Sequence, residues 1–345
     1  MPIPSSLPAG PNPMEKIMQM GMGFMSTACL HGVTSLGIPD LLKNGPMPVA
    51  ALAKSTSVNE DALYRVLRAL ASAGVFSECA PRTFALAPSS ELLVADAPGS
   101  MRPMILWLGH ECQYRTFAEM PHAIKTGETV LEKVYGLSCF DFLRENPVVS
   151  EIFNDAMTAA SASAIPAVLD AYDFSFLNGK SLVDIAGGHG MLLSGILKKY
   201  PEIRGVLFDL DYVLEGAKPR LAAANLSSRC RLETGDFFRE VPAGDAYMMR
   251  NIIHDWNDEK ASAILRNIHR ASQPGAKVIL VEMILIPGDT PQIAKWVDLE
   301  MLLMPGGRER TEEEYGALFA RAGFELKQVL PTKSPASVLE AVRLA

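Results

Sequence analysis

Four polar residues stand where short apolar runs end: Asp209 after Gly205–Phe208, Asp236 in Gly235-Asp236-Phe237-Phe238, His254 after Ala246–Ile253, and Glu282 after Ala276–Val281. A neutral imidazole can remove a proton near neutral pH, and a carboxylate can orient it, so His254 with Glu282 is a candidate base pair. Asp209 follows the small-residue turn Ala186-Gly187-Gly188-His189-Gly190 by about 20 residues, the spacing at which an acid takes ribose hydroxyls. Asp236 can accept from an adenine amine while Phe237 covers the ring. Each has a plainer alternative: Asp209 as a helix cap for Tyr212 onward, Asp236 as a turn residue, His254 as a capped-turn histidine.

These residues need a scaffold that brings strand ends together. Leu182, Val183 and Ile185 suit a strand buried on both faces, and His189–Tyr200 changes to helical spacing with Leu193, Ile196, Leu197 and Tyr200. Small side chains between such a strand and helix let a nucleotide-type ligand lie against bare backbone at the positive end of the helix dipole. The turn lacks the third glycine of a dinucleotide fingerprint and has no Walker lysine. Further strands are expected at Gly205–Phe208, Arg229–Glu233, Ala246–Ile253 and Ala276–Val281, with helices between. That alternation predicts an open parallel sheet with its ligands beyond the carboxyl ends of the strands.

The N-terminal part reads differently. Met14, Met18, Met22 and Met25 recur at helical spacing, with Phe24, Leu30, Val33 and Leu36 extending the apolar surface. Four methionines make a soft face suited to a dimer contact. A helix is expected over 47–57 and another over 59–73, followed by a hairpin of Val75-Phe76 and Thr83–Leu86, which is a winged-helix order. Residues 1–100 carry six Lys or Arg against seven Asp or Glu. The phosphate attraction that dominates DNA affinity has nothing to work with, so a dimerising module is expected and nucleic acid is not.

The 345 residues carry a net charge of −7, with no electrostatic reason to bind an anionic membrane. The five scattered cysteines include no C-x-x-C pair and read as free thiols of a cytoplasmic protein. Residues 1–13, with prolines and no basic n-region, are expected to be a disordered arm rather than a signal peptide. Met14–Ile38 is too interrupted by Glu15, Lys16, Gln19 and His31 for a membrane span. Residues 14–100 are then the winged-helix dimerisation domain, 101–170 a helical linker and substrate-pocket segment, and 171–345 the cofactor-binding catalytic domain. His110 and His122, in the helical segment, are expected to be structural.

LVDIAGGHG, GVLFDL, GDFF, RNIIHDWND, VEMILIP and GGRERTEEEY occur in this order, with FNDAM at Phe153–Met157. In these motifs the chain resembles the S-adenosylmethionine-dependent O-methyltransferases related to the plant caffeate and hydroxyindole enzymes, a family with many bacterial natural-product members. The resemblance implies an α/β fold, a Rossmann-like methyltransferase sheet with an N-terminal, mostly helical winged-helix dimerisation domain, and a homodimer. It implies S-adenosyl-L-methionine as cofactor and a small-molecule hydroxyl as acceptor. The backbone at Ala186 and Gly187 would face the methionine part of the cofactor, Asp209 with Leu210 its ribose, and Asp236 with Phe237 its adenine. Arg250 stands beside the cofactor where the family usually has lysine. His254 would be the general base, flanked by Glu282 and Glu309, while Met157, Trp256 and Met301 help hold the acceptor.

Two departures stand out. The first glycine of the family's turn is Ala186, acceptable where the local angles suit a Cβ, and His189 replaces a smaller residue. No His, Cys, Asp or Glu set has metal-ligand spacing, so no metal is expected. Two other readings follow from the same residues: a relative using the cofactor for hydroxylation or cyclisation, and a regulator using the winged helix.

Overall fold

The computed structural model describes residues 12–345; of the expected N-terminal arm, only Asn12 and Pro13 fall among the described residues. The chain forms two compact units. The first holds the described residues up to Tyr114 with Ile152–Ala159, the second Arg115–Glu151 with Ala160–Ala345.

In the first unit the methionine-rich stretch is two helices, Pro13–Gly21 and Gly23–Ser35, parted at Met22. Asn12 and Glu15 close a reciprocal capping box on the first of them. That helix buries none of its residues, and Met14 is 77% and Ile17 69% exposed. The helix expected over 47–57 begins as a short strand, β1 (Met47–Pro48), before Val49–Thr56 turns helical. Glu60–Ser72 is helical, capped by the Asn59 side chain, and leads through Gly74 at φ +76° into β2 (Phe76–Ala80) and β3 (Thr83–Leu86). The sheet order is β1-β3-β2, a wing packed by Phe84 and Phe76 on Leu52, Leu63, Leu67 and Leu70. The wing's Arg82 is spent internally, 2.8 Å from Glu60 and over the Tyr64 ring.

The second unit is built on seven strands: β4 (Ser181–Ile185), β5 (Arg204–Asp209), β6 (Cys230–Thr234), β7 (Ala246–Arg250), β8 (Lys277–Met283), β9 (Phe324–Pro331) and β10 (Ala336–Arg343). Their order is β6-β5-β4-β7-β8-β10-β9. The first five are parallel, and β10 runs antiparallel to both β8 and β9. The order reverses between β4 and β7, which opens the ligand crevice of a doubly wound sheet. Val168, Leu193, Ile196, Leu214 and Met248 pack in one core cluster, and Ile264, Leu265, Tyr315 and Phe319 in another.

β7 stops three residues earlier than its apolar run predicts, because Asn251 takes a left-handed φ of +52°. His254 therefore sits on a 3-10 turn, Ile253–Asp255, rather than on the strand. Glu282 lies within β8, not beyond it. The helix Pro147–Ala171 is long and apolar enough to cross a membrane by length and composition. Within it Ala156, Ala164, Ala167 and Val168 are buried.

Candidate active site

Three side chains far apart in sequence converge at the end of β8. His254 Nδ1 lies 2.7 Å from Glu309 Oε1 and 3.9 Å from Glu282 Oε2, and both glutamates are fully buried. Glu282 Oε1 accepts from the backbone N–H of Ile252 and Ile253, so β8 holds the turn that carries the histidine. With its proton on Nδ1 facing Glu309, the imidazole presents Nε2 as the acceptor. Asp255 Oδ1 stands 3.5 Å from that Nε2. Burial alone would lower the imidazole's pKa; Glu282, Asp255 and Glu309 outweigh it and hold it up at about 10. Burial pushes Glu282 up to about 7 and Asp255 up to about 6.

By distance alone the three side chains, with ligand atoms within 4.8 Å of one another, could surround a cation. The 2.7 Å N···O separation of His254 and Glu309 is that of a charge-assisted hydrogen bond.

The turn is clamped from the other side. Arg310, 1% exposed, donates to the carbonyls of Ile253 and Trp256, on either side of the His254-Asp255 pair, and to Asp258 Oδ1. The Arg308 N–H bonds the His254 carbonyl at 2.8 Å, and a Cβ on Gly307 would overlap that same backbone. Only the family resemblance singled out Glu309 in the RERTEEE run, and sequence reading passed over Arg310 and Asp255. Only their contacts, not their spacing, reveal what they hold.

The residues expected to hold the cofactor begin at the β4 turn. Gly187 lies against Leu207 and Asp184, where a Cβ would overlap both side chains. The Ala186 N–H bonds Phe208 O, but its φ is +52°, a left-handed conformation that a Cβ disfavours. The local angles therefore do not suit alanine, contrary to the condition on which its acceptance rested. Asp209 accepts from the N–H of Gly188 and of Leu210 at 2.8 and 2.7 Å, which fixes the carboxylate across the turn. Leu210 itself is 44% exposed at the start of the next helix. Asp236 Oδ1 caps its own turn at the Phe238 N–H, and Phe237 stands edge-on to Trp256.

Arg250, at the end of β7, donates to Ser161 Oγ, and its buried Nε has no hydrogen-bond partner. Asp184 is 2% exposed, and burial beside the Asp209 charge raises its carboxyl to about 8. His189 lies against Gly216, where an added Cβ would strike its ring. A bare turn, a fixed carboxylate and an unspent cationic N–H fit an adenosyl amino acid.

Of the residues expected to hold an acceptor, Trp256 is stacked on Phe140 at 5.4 Å and meets Phe238 edge-on at 4.8 Å. Met301 is 9% exposed on the helix Ala294–Leu303, whose following loop carries Gly307. Met157 is a half-buried residue of the first unit.

The O-methyltransferase domain family matches residues 117–325, and the O-methyltransferase dimerisation domain family matches residues 18–96. The chain belongs to the S-adenosylmethionine-dependent O-methyltransferases. It is an enzyme, and S-adenosylmethionine is its cofactor. This O-methyltransferase is 44% identical over 335 residues to the phenazine O-methyltransferase PhzM of Lysobacter antibioticus, with 96% of this chain and 97% of the relative covered. The crystal structure of LaPhzM superposes with a TM-score of 0.91 at 43% identity, covering 96% of this chain and all of that one. NcsB1, an O-methyltransferase of neocarzinostatin biosynthesis solved with S-adenosyl-L-homocysteine and 1,4-dihydroxy-2-naphthoic acid, superposes at 0.80 with 29% identity, over 92% of this chain and 96% of that one.

Proposed function

We propose that this O-methyltransferase methylates a hydroxyl of an aromatic or polyketide-like small molecule, with His254 as general base. The observation that carries the reading is the His254–Glu309 contact of 2.7 Å, which turns Nε2 away as a proton acceptor. A relative whose name specifies a phenazine, and a neighbour solved with a dihydroxynaphthoic acid, support the acceptor class.

When bound, S-adenosylmethionine supplies an electrophilic methyl on a sulfonium. Ala186 and Gly187 would hold its methionine part, Asp209 and Leu210 its ribose, and Asp236 and Phe237 its adenine, with Arg250 beside it. Trp256 and Met301 would orient the acceptor, and alignment of the two reactants lowers the barrier. His254 Nε2 would accept the proton of the acceptor's hydroxyl, a transfer that contributes about 10² to 10⁴ in rate. Glu309 fixes the tautomer and stabilises the imidazolium. Glu282 carries the turn and adds negative charge.

A homodimer belongs to the same reading. The helix Pro13–Gly21 and the start of the next leave Met14, Ile17, Met18, Met20, Met22 and Phe24 exposed, an apolar face that a second copy would cover.

The test is incubation with S-adenosylmethionine and a panel of phenols, hydroxyindoles and aromatic polyketides, read by mass spectrometry. A product heavier by one methyl group is expected on a hydroxyl. Cofactor turnover with an oxidised or cyclised product would replace this reading by the non-methylating one.

A further inference from the structure

Arg310 follows Glu309 in the chain, and its side chain reaches the turn that carries His254. It is buried, although a guanidinium taken out of water is costly unless its donors are met. Its Nη1 donates to the carbonyls of Ile253 at 3.2 Å and Arg308 at 3.3 Å, and its Nη2 to the Trp256 carbonyl at 2.8 Å. Nε and Nη2 both donate to Asp258 Oδ1, at 3.0 and 2.9 Å. Main-chain carbonyls and one carboxylate therefore meet the charge.

These partners come from separate segments. Ile253 and Trp256 bracket His254 and Asp255 on the 3-10 turn. Arg308 immediately precedes Glu309, and Asp258 opens the helix Asp258–Ala271. The main chain is tied as well: the Arg310 carbonyl accepts from the Leu285 N–H at 2.9 Å, just past β8, and the His254 carbonyl from the Arg308 N–H at 2.8 Å. Asp298, on the helix Ala294–Leu303, accepts from the Glu309 N–H at 2.7 Å. A rigid, planar fork thus spans the turn that carries the imidazole and the loop that carries the carboxylate, and sets the separation between them.

We propose that Arg310 is a positioning residue for His254: by joining the 3-10 turn to the Arg308-Glu309 segment it fixes the contact between His254 Nδ1 and Glu309, and with it the direction of Nε2. A lysine would keep the charge, but its ammonium is a point donor on a flexible stem and cannot span Ile253, Arg308, Trp256 and Asp258 together. The groups that hold the imidazole's pKa up are Glu282 on β8, Asp255 on the turn and Glu309 on its loop. Loosening the Glu309 contact lets that pKa fall. The inference rests on His254 being the base, so its test includes a readout independent of turnover.

The variant is Arg310→Lys in the full chain. Its kcat at the optimum pH is expected to fall about 10²-fold, the cost of displacing a reacting group by roughly 1 Å, with KM for S-adenosylmethionine unchanged. The His254 titration, followed by NMR on labelled imidazole, is expected to move to lower pH, and the acid limb of the pH–rate profile with it. A merely structural arginine would lower the melting temperature and leave that titration in place, so a folded variant that titrates as the wild type does overturns the proposal. Asp258→Ala is the second variant, at a half-exposed position whose charge is not among those acting on His254. It removes the anchor of Nε and Nη2, and the same shifts are expected at smaller size. Should Arg310→Lys not fold, their absence in Asp258→Ala overturns the proposal. A titration that moves while kcat does not refutes His254 as the base; a titration that stays refutes Arg310 as its support.

Discussion

His254 Nδ1 and Glu309 Oε1 are 2.7 Å apart, although 55 residues separate them in the chain. In the proposed mechanism that contact makes a titrating side chain into a directed base. Replacing Glu309 by Gln leaves a hydrogen-bond acceptor at the site but removes a charge, so the imidazole's proton affinity falls. Turnover at its optimum is expected to drop about 10²-fold, within the range of general-base catalysis, and the acid limb of the pH profile to shift downward. Steady-state rates between pH 6 and 10 check both.

The unaltered enzyme has its own pH signature. The working form of His254 is neutral, and its surroundings hold its pKa at about 10, so imidazolium predominates at neutral pH. Raising the pH enlarges the neutral fraction. Turnover at saturating substrates is expected to climb from pH 7 toward pH 9, with no plateau near the usual histidine value of about 6.5. A plateau by pH 7.5 would mean the carboxylates do not act on the base as their positions indicate.

Gly307 tests how the base is held. A Cβ there would overlap the His254 backbone, so Gly307→Ala must displace the loop or the turn. Overpacking of this kind typically costs about 1 to 3 kcal/mol. Thermal melts should show the loss. Turnover should fall more than cofactor affinity, which isothermal calorimetry would measure separately.

Ala186 carries strain that glycine would relieve. A left-handed alanine costs about 1 to 2 kcal/mol, offset in part by the extra freedom glycine has in the unfolded chain. Ala186→Gly is therefore expected to raise stability by up to about 1 kcal/mol and leave cofactor affinity at least as tight. A lower melting temperature would show the turn relaxed around alanine.

Asp184 links the cofactor seat to stability. Burial and the Asp209 charge raise its carboxyl from the usual value to about 8, despite the opposing pull of Arg250. The folded protein therefore favours the protonated acid. Its stabilising share is complete below the unfolded pKa near 3.8 and is lost as pH rises through 8. Asp184→Asn cannot ionise, so its melting temperature should gain on the wild type as pH goes from 5 to 9. A constant difference across that range would contradict this.

Much of the site was legible because polar residues interrupt apolar runs in a buried parallel sheet. Asp209, Asp236 and His254 could be singled out as candidates in this way, and the small-residue turn marked the proposed cofactor end of β4. Glu309 was legible only through resemblance, because a charge run gives no sign of which member turns inward. Arg310 sits in the same run and acts through backbone carbonyls, for which no residue spacing exists. The 3-10 turn under His254 was hidden because Ile252 and Ile253 continue the apolar pattern of β7. Only the left-handed Asn251 ends the strand. The hairpin of β9 and β10 lay outside the five strands expected, since its antiparallel strands have no helix between them to mark the alternation.

The central claim is that His254 is the base and not a scaffold residue. His254→Ala, measured for methyl transfer by mass spectrometry and for S-adenosylmethionine binding by calorimetry, separates the two roles. The account predicts a loss of about 10² to 10⁴ in turnover with cofactor affinity nearly unchanged. Turnover near the wild-type rate, or a collapse of cofactor binding equal to the loss of rate, would contradict it.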